Sequence, residues 1–168
     1  MSAHLGSLQG LRYTLRARGI RAATVLGPHN LERAEAERQD RIFDASHWLD
    51  FPHFLPAARV HRLKTSLRTG SLVVAADLPA AESVEVPFLG GRLRLDRRPF
   101  RLARAAGVSC RPAFLTLPLG RWTLTLGDAL PSDEDAALEA YAVCLREVAG
   151  RSPLDLDGVV YLSLAGAG

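Results

Sequence analysis

A histidine just ahead of a predicted helix is the first residue whose type and neighbours could perform chemistry. His4 begins the run His4-Leu5-Gly6-Ser7-Leu8-Gln9, and a helical pattern covers residues 7–18. Imidazole changes charge near neutral pH, so this side chain could take a proton from a hydroxyl or an amine. The amide oxygen of Gln9 can accept the imidazole N–H without supplying negative charge, and Ser7 could share that orienting role. For these six residues alone, a structural histidine is the simpler explanation.

Asp77 is a second candidate for a functional side chain. It follows the apolar run SLVVAA at residues 71–76, which is typical of a strand buried on both faces of a parallel sheet. Ligands of open α/β sheets gather beyond the carboxyl ends of the strands, and Asp77 stands at such an end. The alternative is a carboxylate that caps the turn before Pro79.

Arginines are concentrated in one part of the chain, with six of them between residues 92 and 104. Arg92 and Arg94 alternate with leucines on a strand or an extended segment. Arg97, Arg101 and Arg104 follow the i, i+4, i+7 spacing of one helical face. Such a face fits phosphate or carboxylate groups, although a solvated helix face explains the spacing equally well. Nucleic acid is not an expected partner, because no nucleic-acid-binding module accompanies the arginines.

The composition is that of one globular domain without a disulfide framework. The chain has 168 residues, 48% of them hydrophobic, and a net charge of +3; Lys64 is the one lysine among 21 basic residues. This use of arginine favours phosphate-bearing or acidic partners, or else reflects a GC-rich genome.

Cys110 and Cys144 form no CxxC pair, which fits a reducing compartment. We find no signal peptide and no apolar run that could span a membrane, so we expect a cytoplasmic protein with at most peripheral membrane contact.

Helix and strand patterns alternate over residues 1–168, which predicts a single α/β domain. Gly19 and Gly107 are expected to end helices, and Ser132 with Asp135 forms a capping box at the start of another. We therefore expect a three-layer α/β/α domain with a mixed, largely parallel sheet. The predicted helices span 7–18, 31–44, 57–68, 97–106 and 132–149, the predicted strands span 21–26, 71–76, 84–89, 109–118, 122–126 and 159–164, and residues 48–56 are predicted to be irregular.

Several sequence blocks together resemble the bacterial lipid A (lauroyl/myristoyl) acyltransferases. The run from His4 to Gln9 resembles the HX4(D/E) signature of glycerolipid and lipid A acyltransferases. Residues 62–79 (RLKTSLRTGSLVVAADLP) resemble the family's helix, Leu-Arg-x-Gly turn, apolar strand and aspartate, and residues 84–90 (VEVPFLG) resemble its V-P-F-(F/L)-G block. Residues 100–112 and 122–149 are similar to its later helix, strands and closing helix. The order and spacing of these blocks are more specific than any one motif.

The resemblance implies a glycerolipid acyltransferase-like fold and the transfer of a fatty acyl group from acyl carrier protein or acyl-CoA to a hydroxyl or amine. His4 would be the general base, Gln9 and Ser7 would orient it, and Asp77 would belong to the same site. The donor is a substrate, and no metal or other cofactor is implied. The arginines would face the phosphopantetheine phosphate, an acidic carrier protein or anionic lipid headgroups at the inner face of the cell membrane. The residues assigned to substrate binding are Gly6, Gly90, Arg92, Arg94, Arg97 and Arg101.

Three departures from the family support an alternative function. Gln9 stands where the family has an acid, and loss of the equivalent carboxylate in the serine protease triad costs roughly 10⁴ in rate. The chain begins at the histidine motif, where the family has a strand and a membrane-associating helical region. It also lacks the family's terminal PEQ-type motif. We therefore expect a sheet with a vacant position, hence a homo- or hetero-oligomer. The alternative function is a catalytically weak or inactive homologue that binds an acyl carrier protein or a partner subunit.

Overall fold

The structure, a computed structural model, describes residues 3–28, 31–32, 54–76, 82–116, 123–151 and 159–163, with the backbone alone at 3–9, 54 and 159–163. The fold is mixed α/β. The described helices are α1 (Ala3–Ala17), α2 (Val60–Ser66), α3 (Arg98–Ala106) and α4 (Glu134–Arg151). The described strands are β1 (Ala22–Leu26), β2 (Phe54–Pro56), β3 (Ser71–Ala75), β4 (Ser83–Phe88), β5 (Gly91–Asp96), β6 (Ser109–Thr116), β7 (Thr123–Leu126) and β8 (Val159–Ser163).

Six of these strands form one mixed sheet in the order β2-β1-β3-β8-β6-β7. Strand β1 pairs in parallel with β2 and β3, whereas β8 runs antiparallel to both β3 and β6, and β7 runs antiparallel to β6. Antiparallel pairs therefore outnumber parallel ones among the described strands, so the expectation of a largely parallel sheet is corrected. The six residues between β6 and β7 are too few for the crossover that a parallel pair requires.

The two faces of the sheet pack against different elements. On one face, Leu11 and Leu15 of α1 pack on Ala22, Val73 and Ala113 of three strands. On the other face the helices α2, α3 and α4 and the β4–β5 hairpin share a larger apolar core. That core consists of Ala23, Val25, Leu55, Leu63, Leu67, Leu72, Ala76, Val86, Leu95, Phe100, Ala103, Cys110, Phe114, Ala137, Leu138, Tyr141, Ala142 and Leu145. Residues of the central strands alternate between the two clusters, as the side-chain period of a strand requires.

Most helix ends lie where the sequence predicts them. Gly19 and Gly107 both have positive φ, and hydrogen bonds such as Ile20 N–H to Leu15 O close the ends of α1 and α3 in the Schellman arrangement. Helix α1, however, begins at Ala3, four residues before the predicted start. Of the helix predicted over 31–44, only residues 31–32 are described.

The predicted capping box at the start of α4 is wrong by one residue. Oδ1 of Asp133 accepts a hydrogen bond from the backbone N–H of Ala136 at 3.0 Å, so Asp133 caps the helix in place of Ser132. Aspartate and serine are comparable N-caps, and their adjacency in the sequence leaves the choice to the path of the incoming loop.

The segment predicted to be irregular contains the short strand β2. Leu55 and Pro56 pair with Val25 and Leu26, and the N–H of Ala57 donates to Leu26 O at 2.8 Å. Strand β2 lies at the edge of the sheet, where a proline is tolerated because its missing N–H would face away from the neighbouring strand.

The hairpin of β4 and β5 turns through two residues, Leu89 and Gly90, whose φ angles are 45° and 80°. Its inner face carries Val86 and Leu95, both of which are buried. The open end of the hairpin is tied to the main sheet, because the N–H of Asp96 donates to Ala76 O at 2.6 Å.

Among the described helices none is long and apolar enough to cross a membrane.

Candidate functional site

Helix α1 brings its amino-terminal end to the carboxyl ends of the parallel strands. The helix runs back along β1, and its last turns are held at the start of that strand, where Nε of Arg16 donates to Ala22 O at 2.9 Å. Halfway along, Gly10 lies against Leu115 near the carboxyl end of β6; a Cβ on Gly10 would stand 2.5 Å from Cδ2 of Leu115. Residues 3–9 continue from Gly10 in the same direction for about 10 Å of helix. The first turns of α1 therefore lie toward and past this edge.

Because α1 begins at Ala3, the predicted catalytic residues are arranged around a helix axis. His4, Gly6, Ser7 and Gln9 all lie on the backbone of α1, in its first turns. At 3.6 residues per turn, position 7 shares a face with position 4, whereas position 9 lies about 140° around the helix axis from it. The backbone thus brings Ser7, more than Gln9, to the face of His4. The side chains of these residues lie outside the described part of the structure.

Asp77 follows Ala76 in the sequence and lies outside the described residues. The end of β3 before it is described: Ala75 and Ala76 are buried, and the carbonyl of Ala76 accepts the N–H of Asp96. This end points to the same edge as the carboxyl ends of β1 and β6, because β1 is parallel to β3 and both β3 and β6 run opposite to β8.

Gly90 is not brought to that edge by any described contact. It occupies the tip of the β4–β5 hairpin, and the hairpin meets the sheet at Asp96, the opposite end of β5. Asp96 lies five residue steps along β5 from Gly91, which corresponds to about 17 Å. Gly90 has a positive φ, as the turn requires at this position, and the turn itself therefore explains the glycine.

Two of the three arginines on the predicted face, Arg97 and Arg101, are occupied by contacts within the protein. Arg97 lies 2.6 Å from Oδ1 of Asp135 and 3.6 Å from Oε1 of Glu134. Arg101 donates to Glu134 at 3.3 Å and also to Glu82. These hydrogen bonds, first with Glu134 and then with Glu82, raise the pKa of the Arg101 guanidinium. Two of the four arginines assigned to substrate binding therefore join α3 to the start of α4.

The two strand arginines differ from each other. Arg92 pairs across the hairpin with Glu85, with Nε and Oε2 3.1 Å apart, and both side chains are exposed. Arg94 stands opposite Glu85 in register, is exposed and forms no ion pair within the described part of the chain. Both lie on the outer face of the hairpin, away from Val86 and Leu95.

Sequence reasoning missed a buried carboxylate that caps α3. Asp96 is 5% exposed, and its Oδ1 accepts the backbone N–H of Arg98 at 2.9 Å. The Arg98 guanidinium donates hydrogen bonds to both carboxylate oxygens of Asp96, from Nε at 2.9 Å and from Nη2 at 2.7 Å. Hydrogen bonding to Asp96 raises the pKa of Arg98 in spite of partial burial. The signal in the sequence is an aspartate three residues before Pro99, which occupies the first turn of α3.

No group of three or more potential metal ligands forms among the described residues.

No protein-family model matches the chain, and no curated protein matches it.

Proposed function

We propose that the protein is an acyltransferase with a three-layer, glycerolipid acyltransferase-like fold. It would move a fatty acyl group from acyl carrier protein or acyl-CoA to a hydroxyl or amine of a lipid or small molecule. The observation that carries the proposal is the arrangement at one sheet edge: the first turns of α1, which contain His4, lie toward the carboxyl ends of β1, β3 and β6. Ligands of α/β sheets bind at this kind of edge.

Two further observations support the proposal. The sequence blocks that resemble the acyltransferases fall on successive elements of the fold, from α1 through the β4–β5 hairpin to α4. In addition, α1 packs on one apolar cluster and α2, α3 and α4 on the other, and this arrangement supports the proposal of a three-layer domain.

The proposed reaction follows from the chemistry of a thioester. His4 takes the proton of the acceptor hydroxyl or amine, the acceptor attacks the carbonyl carbon, and the carbon–sulfur bond breaks. The proton passes from the imidazolium to the departing thiolate, so the histidine returns to its neutral form. Ser7 or Gln9 would hold the ring in one tautomer, and the resemblance assigns Asp77 to the same site.

The second candidate function is a weak or inactive homologue that binds an acyl carrier protein or a partner subunit. Gln9 favours it, because an amide cannot stabilise an imidazolium as a carboxylate does. The start of α1 at Ala3 also favours it, since positions 4 and 9 then face different directions. Both functions include peripheral contact with the inner face of the cell membrane, which vesicle flotation would detect. Both also include association with a second chain, which sedimentation would detect.

The experiment that tests the proposal compares the wild type with His4→Ala. Each protein is incubated with acyl-CoA or an acyl-loaded carrier and a panel of acceptors, and mass spectrometry measures the acylated products. We expect turnover by the wild type and its loss in His4→Ala, with the same thermal unfolding midpoint in both. Equal turnover in the two proteins would overturn the role of His4. Stable carrier binding without turnover by the wild type would favour the second function.

A further inference from the structure

A group of basic side chains without ion-pair partners among the described residues lies on α2, away from Arg97 and Arg101. The segment 57–70 contains five basic residues counting His61 and no aspartate or glutamate. His61, Lys64 and Arg68 follow the i, i+3, i+7 spacing along α2 and the turn that continues it, and all three are exposed. We call these three residues the basic stripe. Lys64 and Arg68 form no ion pair with any described residue, in contrast to Arg97 and Arg101.

A notch adjoins the basic stripe. Its volume is about 140 Å³, and it is lined by Lys64 and Arg68 together with the apolar groups of Leu67, Ala105, Ala106 and Val108. A cavity of about 150 Å³ holds a benzene molecule, so this notch has room for one aliphatic side chain. Arg104 precedes Ala105 in α3 and is exposed, but it does not line the notch.

The position of the notch separates it from the proposed acyl-transfer site. Helix α2 ends just before β3 begins, and α3 ends just before β6 begins, so both ends lie at the amino edge of these strands. The first turns of α1 lie toward the carboxyl edge. Five strand residues separate the two edges, or about 16 Å. A ligand in the notch would not reach the reacting atoms.

We propose that the basic stripe and its notch form a docking site for an acidic amphipathic helix of a partner protein. Carboxylates of that helix pair with Lys64 and Arg68, and one aliphatic side chain enters the notch. The shape favours a protein helix over a membrane: a lipid surface offers negative charge but no single side chain to fill a concave apolar floor. Because the site lies at the amino edge, a side chain seated in the notch is separate from the proposed acyl-transfer site.

The test uses synthetic amphipathic helical peptides that carry glutamates on one face and a single central leucine, with binding measured by fluorescence anisotropy. We expect a Kd on the order of 10 µM at low salt and weaker binding at high salt. Arg68→Glu should weaken binding at least about tenfold. Arg62→Glu is the matched control, since Arg62 is exposed on the other side of α2 and undergoes the same charge change; it should stay within about twofold.

Two further variants examine the notch itself. Ala105→Leu fills it from an exposed position and should weaken peptide binding, as should replacement of the peptide's leucine by serine. Absence of peptide binding to the wild type would overturn the proposal. So would equal losses for Arg62→Glu and Arg68→Glu, because diffuse charge would then suffice. Binding to vesicles of phosphatidylcholine and phosphatidylglycerol that ignores Ala105→Leu, with weaker binding of the peptides, would assign the surface to a membrane instead.

Discussion

Nη2 of Arg101 lies 3.3 Å from Oε1 of Glu134, and this contact joins the middle of α3 to the first turn of α4. Glu134 is only 9% exposed and also faces Arg97, so two guanidinium groups converge on one nearly buried carboxylate. The side chains come from positions 33 residues apart in the sequence. The arginine face therefore stabilises the packing of two helices.

We predict that Glu134→Ala lowers the free energy of unfolding by about 1–3 kcal/mol, because it leaves both arginines without their most buried partner. Glu139→Ala is the control: Glu139 is exposed on the same helix, and its loss should change stability by no more than about 0.5 kcal/mol. Urea unfolding measures both. Equal effects of the two substitutions would show that the arginine contacts do not account for the loss.

Local features of this fold could be predicted from the sequence, and contacts between distant residues could not. The apolar run predicts strand β3, and Gly107 predicts the end of α3. Both signals depend only on residues close together in the sequence, and both predictions are confirmed. Strand β2 was missed because three residues ending in a proline carry no periodic signal, and only pairing with β1 makes them a strand. The spacing of Arg97 and Arg101 predicts a shared face correctly, but no pattern in that segment shows that Glu134 covers it.

Leu89 gives a second prediction, because it has a backbone conformation that leucine rarely adopts. Its φ is 45° in a two-residue turn in which both central residues need positive φ, and the residue is 65% exposed. Asn-Gly is the preferred pair in such turns. Leu89→Asn should therefore stabilise the protein by about 1 kcal/mol, measured by thermal unfolding. The companion Gly90→Ala should destabilise it by a similar amount, and a destabilised Leu89→Asn would mean that the exposed leucine has a packing partner.

The close approach of α1 to β6 leads to a third prediction. A Cβ at position 10 would stand 2.5 Å from Cδ2 of Leu115, so Gly10→Ala must displace that side chain at a cost of about 1–3 kcal/mol. The gain in helix propensity offsets about 1 kcal/mol of this. Leu115→Ala alone leaves a cavity, but in the double variant the alanine at 10 has room. We expect the double variant to lose about 1 kcal/mol less than the sum of the two singles. Additive losses would contradict the packing of α1 described above.

A fourth prediction concerns the alkaline stability of the protein. Burial raises the pKa of the Cys110 thiol to about 12 from its ordinary value of 9.0. Between these values the unfolded chain holds fewer protons than the folded one, so the contribution of Cys110 to stability is present below pH 9 and lost as pH rises toward 12. The slope is at most about 1.4 kcal/mol per pH unit. Cys110→Ala should reduce this slope in urea titrations, whereas Cys144→Ala, which removes a half-buried thiol, should retain most of it. Identical slopes for wild type and Cys110→Ala would contradict the burial of this thiol.

The last prediction tests how position 9 acts on His4. If His4 is the base of an acyl transfer, a carboxylate at position 9 would stabilise the imidazolium that forms when the acceptor loses its proton. Gln9→Glu should then raise the rate at neutral pH by about tenfold or more. A carboxylate that reaches the ring from position 9 would also raise the pKa of the imidazole, so the acidic limb of the pH–rate profile should move to higher pH, which a purely structural effect would not produce. Because position 7 shares the face of position 4 on α1, Ser7→Ala is measured alongside. A rate and profile that Gln9→Glu leaves unchanged, with a clear loss in Ser7→Ala, would assign the orienting role to Ser7.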